Sequence, residues 1–303
     1  MSYLLISNTT DKKINLNDLD LISQHIKKIV KTDINFKELS INKAYECYLP
    51  KNETYYELLD FITKLKTQKK LDVNIIKSES IRRKKLLLAD MDSTIIKEES
   101  LDELAKLIGK EKEIIQITKE AMEGKIDFKK ALFDRVSILK GVSFDILENL
   151  KSKVEINEGA SELIKTMKYN KATTVLVSGG FTFLTNYLKN KLGFDFIHAN
   201  SLQHSIDTSG KKVLAGMVAE PILDKEAKLK YLNQYLNKYS LEPEDSMCVG
   251  DGANDIDMIV NSGMGVSFNG KKALKDVADL HFDYTNLLGL LYAQGYSDKE
   301  IIS

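Results

Sequence analysis

The sequence predicts an α/β protein. It should have a mostly parallel sheet covered by helices, an inserted helical cap, and a small α/β unit in front. Three observations predict this. Short apolar strands at 86–89, 174–177 and 247–249 each end in a polar loop, and helical stretches separate them. Strands that alternate with helices make parallel sheets buried on both faces. A helical stretch with no strand signal runs from about 98 to 165. The first eighty residues carry their own β-α-β-β-α-β order.

Each element can be justified in turn. Residues 3–7 read as a strand, and 19–30 place Leu19, Leu21, Ile22, Ile26, Ile29 and Val30 at helical spacing. Residues 36–41 and 44–49 read as strands around an Asn42-Lys43 turn, 55–67 as an amphipathic helix, and 73–76 as the last strand of the unit. The basic stretch 77–85 follows, and the domain boundary is set at residue 80. The second domain, 81–303, contains the insertion at about 98–165. That insertion is too long for a simple crossover and suits a cap over a site. Residues 199–205 and 212–219 read as a hairpin around Ser209-Gly210.

Bulk properties exclude several classes. Lysine plus arginine and aspartate plus glutamate both number 44, so the net charge is zero. Nothing in that balance points to a nucleic-acid or membrane-surface partner. No apolar run approaches a membrane span. Met1 opens directly into a strand without a basic, signal-like start. Cys47 and Cys248 lie far apart in apolar stretches, which suits buried free thiols in a reducing compartment. A cytoplasmic protein is the resulting expectation.

The three polar loops should meet at the carboxyl edge of the sheet, where ligands of such folds bind. The first is Asp90-Met91-Asp92-Ser93-Thr94. Two carboxylates two residues apart suit a nucleophile and a general acid/base, although an Asp-x-Asp pair alone is also common in solvated turns. The second is Ser178-Gly179-Gly180-Phe181, read as a strand-to-helix turn whose hydroxyl and backbone N–H groups can hold phosphate. The third, Gly250-Asp251-Gly252-Ala253-Asn254-Asp255, crowds hard oxygen ligands onto a glycine-flanked turn that suits Mg²⁺. There Asp251 is the candidate ligand, and Asp255 can orient it. Asp257 should point away, to the surface. Lys225 and Lys228 are candidates for the balancing cation.

Taken together, these motifs resemble those of the haloacid dehalogenase superfamily and, more narrowly, its phosphoserine phosphatase family, over about residues 86–282. The resemblance implies a Rossmann-like core and a Mg²⁺-dependent phosphatase that forms an aspartyl phosphate. Asp90 matches the nucleophile. Asp92 matches the general acid/base, whose backbone carbonyl also binds the metal. Asp251 matches the side-chain ligand, so Asp90, Asp92 and Asp251 form the implied metal set. Ser178 and Gly179 match the phosphate-binding turn, with Gly180 supporting. Lys228 fits the family's lysine better than Lys225. Asn254 and Asp255 complete the site.

The cap carries the implied substrate, O-phospho-L-serine, and with it the last step of L-serine biosynthesis. Glu99 matches the residue that meets the substrate ammonium, and Arg135 would pair with its carboxylate. Met122 and Phe128 would close the lid, or else pack within the cap. Another small phosphomonoester is the alternative substrate. A non-catalytic amino-acid sensor is the alternative of a different class, but no motif residue is lost. The N-terminal unit resembles an ACT-like regulatory domain by element order alone, which allows a homodimer and amino-acid feedback.

Overall fold

The computed structural model describes residues 2–10, 13–49, 55–77, 82–122 and 125–303. The N-terminal unit consists of β1 (Ser2–Ser7), α1 (Leu16–Val30), β2 (Lys37–Ser40), β3 (Ala44–Leu49), α2 (Tyr55–Lys69) and β4 (Asp72–Lys77). Its sheet has the order β2-β3-β1-β4, and every pairing is antiparallel. Asn15 caps α1 by accepting the Asp18 N–H at 2.8 Å, so the helix begins three residues before the first apolar residue of its stripe.

Period-two alternation gives this sheet two buried faces. Leu4, Ile6, Cys47 and Val73 pack under the two helices with Leu19, Ile22, Ile26, Leu58 and Ile62. Leu5, Leu39, Ala44 and Ile76 point the other way and join the core of the following sheet. The N-terminal unit is therefore packed against the rest of the chain. The Asn74 amide spans the seam, donating to the His281 carbonyl and accepting the His281 N–H, each at 2.9 Å. Asp72 accepts the N–H groups of Asp283 and Tyr284, both at 2.9 Å.

The larger sheet starts with β5 (Leu86–Ala89). The cap follows, with α3 (Ser100–Leu107), α4 (Glu111–Met122), α5 (Phe128–Ser137) and α6 (Ile146–Lys151). Then come α7 (Ala160–Tyr169), β6 (Thr173–Phe181), α8 (Thr182–Leu192), β7 (Phe196–Ile206) and β8 (Lys212–Ala219). The chain ends with α9 (Lys225–Tyr239), β9 (Ser246–Gly250), α10 (Ile256–Val260), β10 (Gly265–Phe268), α11 (Lys272–Lys275), β11 (Leu280–Phe282) and α12 (Gly289–Ala293). The strand order is β11-β10-β9-β5-β6-β7-β8, parallel except for the β7–β8 hairpin.

The apolar runs of the central strands follow from burial on both faces. Leu86, Leu88, Val175 and Cys248 pack against Leu232 and Tyr235 of α9 and Met258 of α10. Leu87, Ala89, Leu176 and Val249 face the opposite way, toward Leu163 and Ile164 of α7 and Leu184 and Leu188 of α8.

The two stems of the insertion meet early. Ile96 and Ile156 form a bridge, and the Lys97 N–H donates to the Glu155 carbonyl at 2.9 Å. Beyond that bridge, α7 packs under the sheet with the crossover helices, although the sequence reading carries the insertion on to about 165. Amphipathic helices of cap and crossover share one pattern, so periodicity alone does not separate them. The hairpin braces the cap: Gly141 N–H donates to Leu214 O and Leu214 N–H to Val142 O, at 2.9 and 2.8 Å.

Candidate active site

The three polar loops converge at the carboxyl ends of β5, β6 and β9, which are adjacent in the sheet. After β5 the chain kinks at Asp92, and Ser93 takes a left-handed φ of 55°. Met91 points into the core, fully buried. The Asp90 and Asp92 side chains therefore both stay at the sheet edge.

A buried lysine ties two of the loops together. Asp224 caps α9 by accepting the Ala227 N–H at 3.1 Å, which fixes where the helix begins. Lys228 follows within the first turn, and its Nζ lies 2.7 Å from Asp90 Oδ1 and 2.6 Å from Asp255 Oδ1. It is 1% exposed, whereas Lys225 is exposed, so geometry selects Lys228 over its neighbour. Asp255 Oδ2 accepts the N–H groups of Asp251 and Gly252, both at 3.2 Å. Gly250 is required by close approach, because a β-carbon there would lie 2.3 Å from Asp255 Cγ.

The Ser-Gly-Gly segment differs from the expected strand-to-helix turn. Strand β6 continues through it to Phe181, with a break in register after Val177, and α8 begins at Thr182 with Phe181 as its cap residue. Ser178 does not cap the helix: its Oγ accepts the Gly180 N–H at 2.8 Å and stays buried at the strand end. The segment is a bulge, which re-aims side chains at a sheet edge. Gly180 faces the first loop so closely that a β-carbon there would lie 2.7 Å from Asp92 Oδ2.

Electrostatics follow from this crowding. Burial, and then the Asp255 carboxylate, push the Asp90 carboxyl well up, against the pull of Lys228. Burial and Glu99 push Asp92 up to about 7, although Ser100 N–H donates to its Oδ1 at 3.1 Å. Burial pulls Lys228 down, but Asp255 and Asp90 more than offset it and the ammonium is held charged. Burial also raises Asp251, partly countered by Lys271, whose Nζ lies 3.3 Å from Asp251 Oδ2.

The donor set fits a divalent metal. Among the described residues, carboxylate atoms of Asp90, Asp251 and Asp255 lie within 4.8 Å of one another. Both Asp255 oxygens are committed, one to Lys228 and one to backbone amides, whereas Asp90 is engaged through Oδ1 and Asp251 through Oδ2, so these two are the better oxygen donors of the group. Four carboxyl groups (Asp90, Asp92, Asp251, Asp255) face two ammonium groups (Lys228, Lys271), so even with Asp92 protonated the acidic groups outnumber the basic ones. A divalent cation on oxygen ligands balances the excess.

The cap residues are placed more loosely. Phe128 opens α5, and its ring tip would lie 3.7 Å from a β-carbon at Gly179, so it overhangs the strand end. Arg135, on the same helix, donates Nε to the Ala131 carbonyl at 3.1 Å. Burial pulls its pKa down, and Asp102, Glu99 and Asp92 pull it back up, which sets its guanidinium on the acidic side of the cap. Glu99 is exposed and accepts a 2.9 Å hydrogen bond from Ser93 Oγ; it does not pair with Arg135. Asn254 is exposed on its turn, and Asp257 is half-buried rather than at the surface. Met122 ends α4, and its side chain lies outside the described residues.

Three residues at the site were not legible in the sequence. Ser100 acts through its backbone N–H. Lys271 is one lysine among many. Asn200 sits inside a strand, yet its amide donates to the Gly179 carbonyl at 2.8 Å and ties the bulge to Leu223.

Residues 84–263 match the haloacid dehalogenase-like hydrolase family. A phosphoserine phosphatase of Archaeoglobus fulgidus is 41% identical over 209 residues, which are 69% of this chain and 59% of that protein. One of Saccharomyces cerevisiae is 33% identical over 294 residues, 93% of each chain. A solved HAD family hydrolase from Salmonella enterica serovar Typhi is 25% identical, with a TM-score of 0.82 over 97% of this chain and 98% of its own. The chain therefore belongs to the haloacid dehalogenase-like hydrolases and, within them, to the phosphoserine phosphatase family.

Proposed function

We propose that this chain hydrolyses O-phospho-L-serine to L-serine and phosphate, as the last step of serine synthesis, through an aspartyl phosphate on Asp90. The observation that carries the reading is the Lys228 ammonium clamped between Asp90 and Asp255, with Asp92 two residues beyond Asp90 on the same loop. Asp90 Oδ attacks phosphorus, and the bond from phosphorus to the serine oxygen breaks. Asp92, protonated, gives its proton to the departing oxygen. As a carboxylate it then takes a proton from the water that attacks the aspartyl phosphate, which frees phosphate and restores Asp90. Phosphoryl transfer needs mainly positioning and charge balance. Lys228, Ser178 and the Gly179–Gly180 backbone supply these from the protein. Mg²⁺ would be held by Asp90, Asp251 and the Asp92 carbonyl, and would supply the remaining positive charge.

The acidic Glu99 and basic Arg135 on one side of the cap favour a substrate with an ammonium and a carboxylate. Phe128 and Met122 would exclude water above it, and Asn254 would complete the phosphate end. Residues 1–80 are read as a regulatory or dimerising domain, and 81–303 as the phosphatase. The buried thiols and the absence, among the described residues, of a helix long and apolar enough to cross a membrane favour a cytoplasmic setting.

Phosphate release from phosphoserine, phosphothreonine, phosphoethanolamine and a sugar phosphate, with Mg²⁺ and with EDTA, tests the reading. Phosphoserine should lead, and EDTA should stop turnover. Asp90→Asn should abolish activity while keeping the wild-type melting profile. Turnover by that variant would rule out the covalent route, and a preference for the sugar phosphate would rule out the substrate.

A further inference from the structure

The turn after β10 brings a second cation to the metal-binding edge. Asn269 takes a left-handed φ of 46°, and a β-carbon at Gly270 would lie 2.1 Å from Ser267 Oγ. A side chain there would have to displace the Ser267 hydroxyl, so glycine suits the turn. The Lys271 N–H then donates to the Asp251 carbonyl at 2.7 Å. Its side chain returns to the same residue, with Nζ 3.3 Å from Asp251 Oδ2 and 3.9 Å from the place a β-carbon would take at Gly252. One residue thus grips Asp251 by main chain and side chain together. The ammonium lies on one oxygen of the carboxylate that would hold the metal.

We infer that Lys271 is a placeholder cation: its ammonium balances Asp251 when no metal is bound, opposes an entering Mg²⁺ by like charge at the same carboxylate, and so lowers the metal affinity of the site. The inference rests on the Mg²⁺ reading above. Lys271 is a positioning residue and not a catalytic one, since it acts through Asp251. Two cations compete for one carboxylate. Lys228 does not compete in this way, because it is fully buried between Asp90 and Asp255 and leaves Asp251 alone. The Lys271 side chain is 62% exposed, so it can swing away at little cost. The exposed Glu99 carboxylate also draws it. The exposure of Lys271 also bounds the effect to that of a solvent-screened pair, about 2–5-fold in affinity.

Calorimetric titration of Mg²⁺ into metal-free protein, without substrate, tests this. Lys271→Met should bind Mg²⁺ about 2–5-fold more tightly than wild type, and Lys271→Arg should stay at the wild-type value. In EDTA, Lys271→Met should melt below wild type, because its carboxylates lose a balancing charge, and saturating Mg²⁺ should close that gap. Equal or weaker Mg²⁺ binding by Lys271→Met, with wild type binding normally, overturns the placeholder role and leaves the metal reading intact. No Mg²⁺ binding by wild type overturns both.

Discussion

Asp92 shows how a single residue is tuned by what surrounds it. Gly180 faces one of its oxygens, Ser100 N–H holds the other, and burial with Glu99 pushes its carboxyl up to about 7. A carboxyl so raised keeps its proton up to about neutral pH, which is what a proton donor to a poor leaving group needs. The rate of serine release in the first turnover, read by rapid quench, should therefore fall as pH rises above about 7. With p-nitrophenyl phosphate that fall should vanish, since its leaving group departs without a proton. Equal falls for the two substrates would remove Asp92 from the donor role. The sequence singles out Asp90, Asp92 and Asp251 because carboxylates on short loops after strands stand out by residue type, and the structure brings those loops to one sheet edge. Ser100 and Asn200 were not legible in it, because one acts through backbone and the other through a contact 21 residues away.

At the scale of elements, strands and helices were legible where periodicity was unbroken. Ala44–Leu49 and Leu86–Ala89 fall where the sequence puts them. The reading failed at β6, where glycines signalled a turn but the strand runs on as a bulge. Joints between elements were less legible still, and Asp72, at the start of β4, makes one of them. Burial pushes its carboxyl up to about 6, despite the N–H groups of Asp283 and Tyr284. Its folded pKa lies above its unfolded value, so the folded state binds the extra proton between about pH 4 and 6. Stability from this group is present below that window and is lost as pH rises through it. Asp72→Asn should remove this dependence. The difference in unfolding free energy between wild type and variant should shift by about 2 kcal/mol between pH 4 and 6.5, in favour of wild type at the acid end. A difference flat with pH would refute the assignment.

Across the whole molecule, each sheet holds one buried thiol, Cys47 in β3 and Cys248 in β9. Burial pushes both up to about 12, so neither offers thiolate at neutral pH. An aromatic disulfide reagent should find no fast-reacting thiol in the native protein and two after denaturation. Leu5 and Ile76 join the core of the larger sheet, so the two sheets share apolar packing. In a denaturant series both thiols should become reactive at one midpoint. Earlier release of Cys47 would mean that the N-terminal unit opens by itself.

The Asn74 bridge has a consequence for how this chain keeps to itself at high concentration. Strands β4 and β11 are terminal strands of their sheets, and each has a free row of backbone groups of the kind that recruits foreign strands. They lie against each other, and one side-chain amide occupies the N–H and C=O of His281 as a neighbouring strand would. The Asp72 carboxylate takes the N–H groups of Asp283 and Tyr284, just past the end of β11. Two sticky margins are thereby spent on one another within the same molecule. The margins left open to strangers are those of β2 and β8, and the cap already leans on β8 through Gly141 and Phe144.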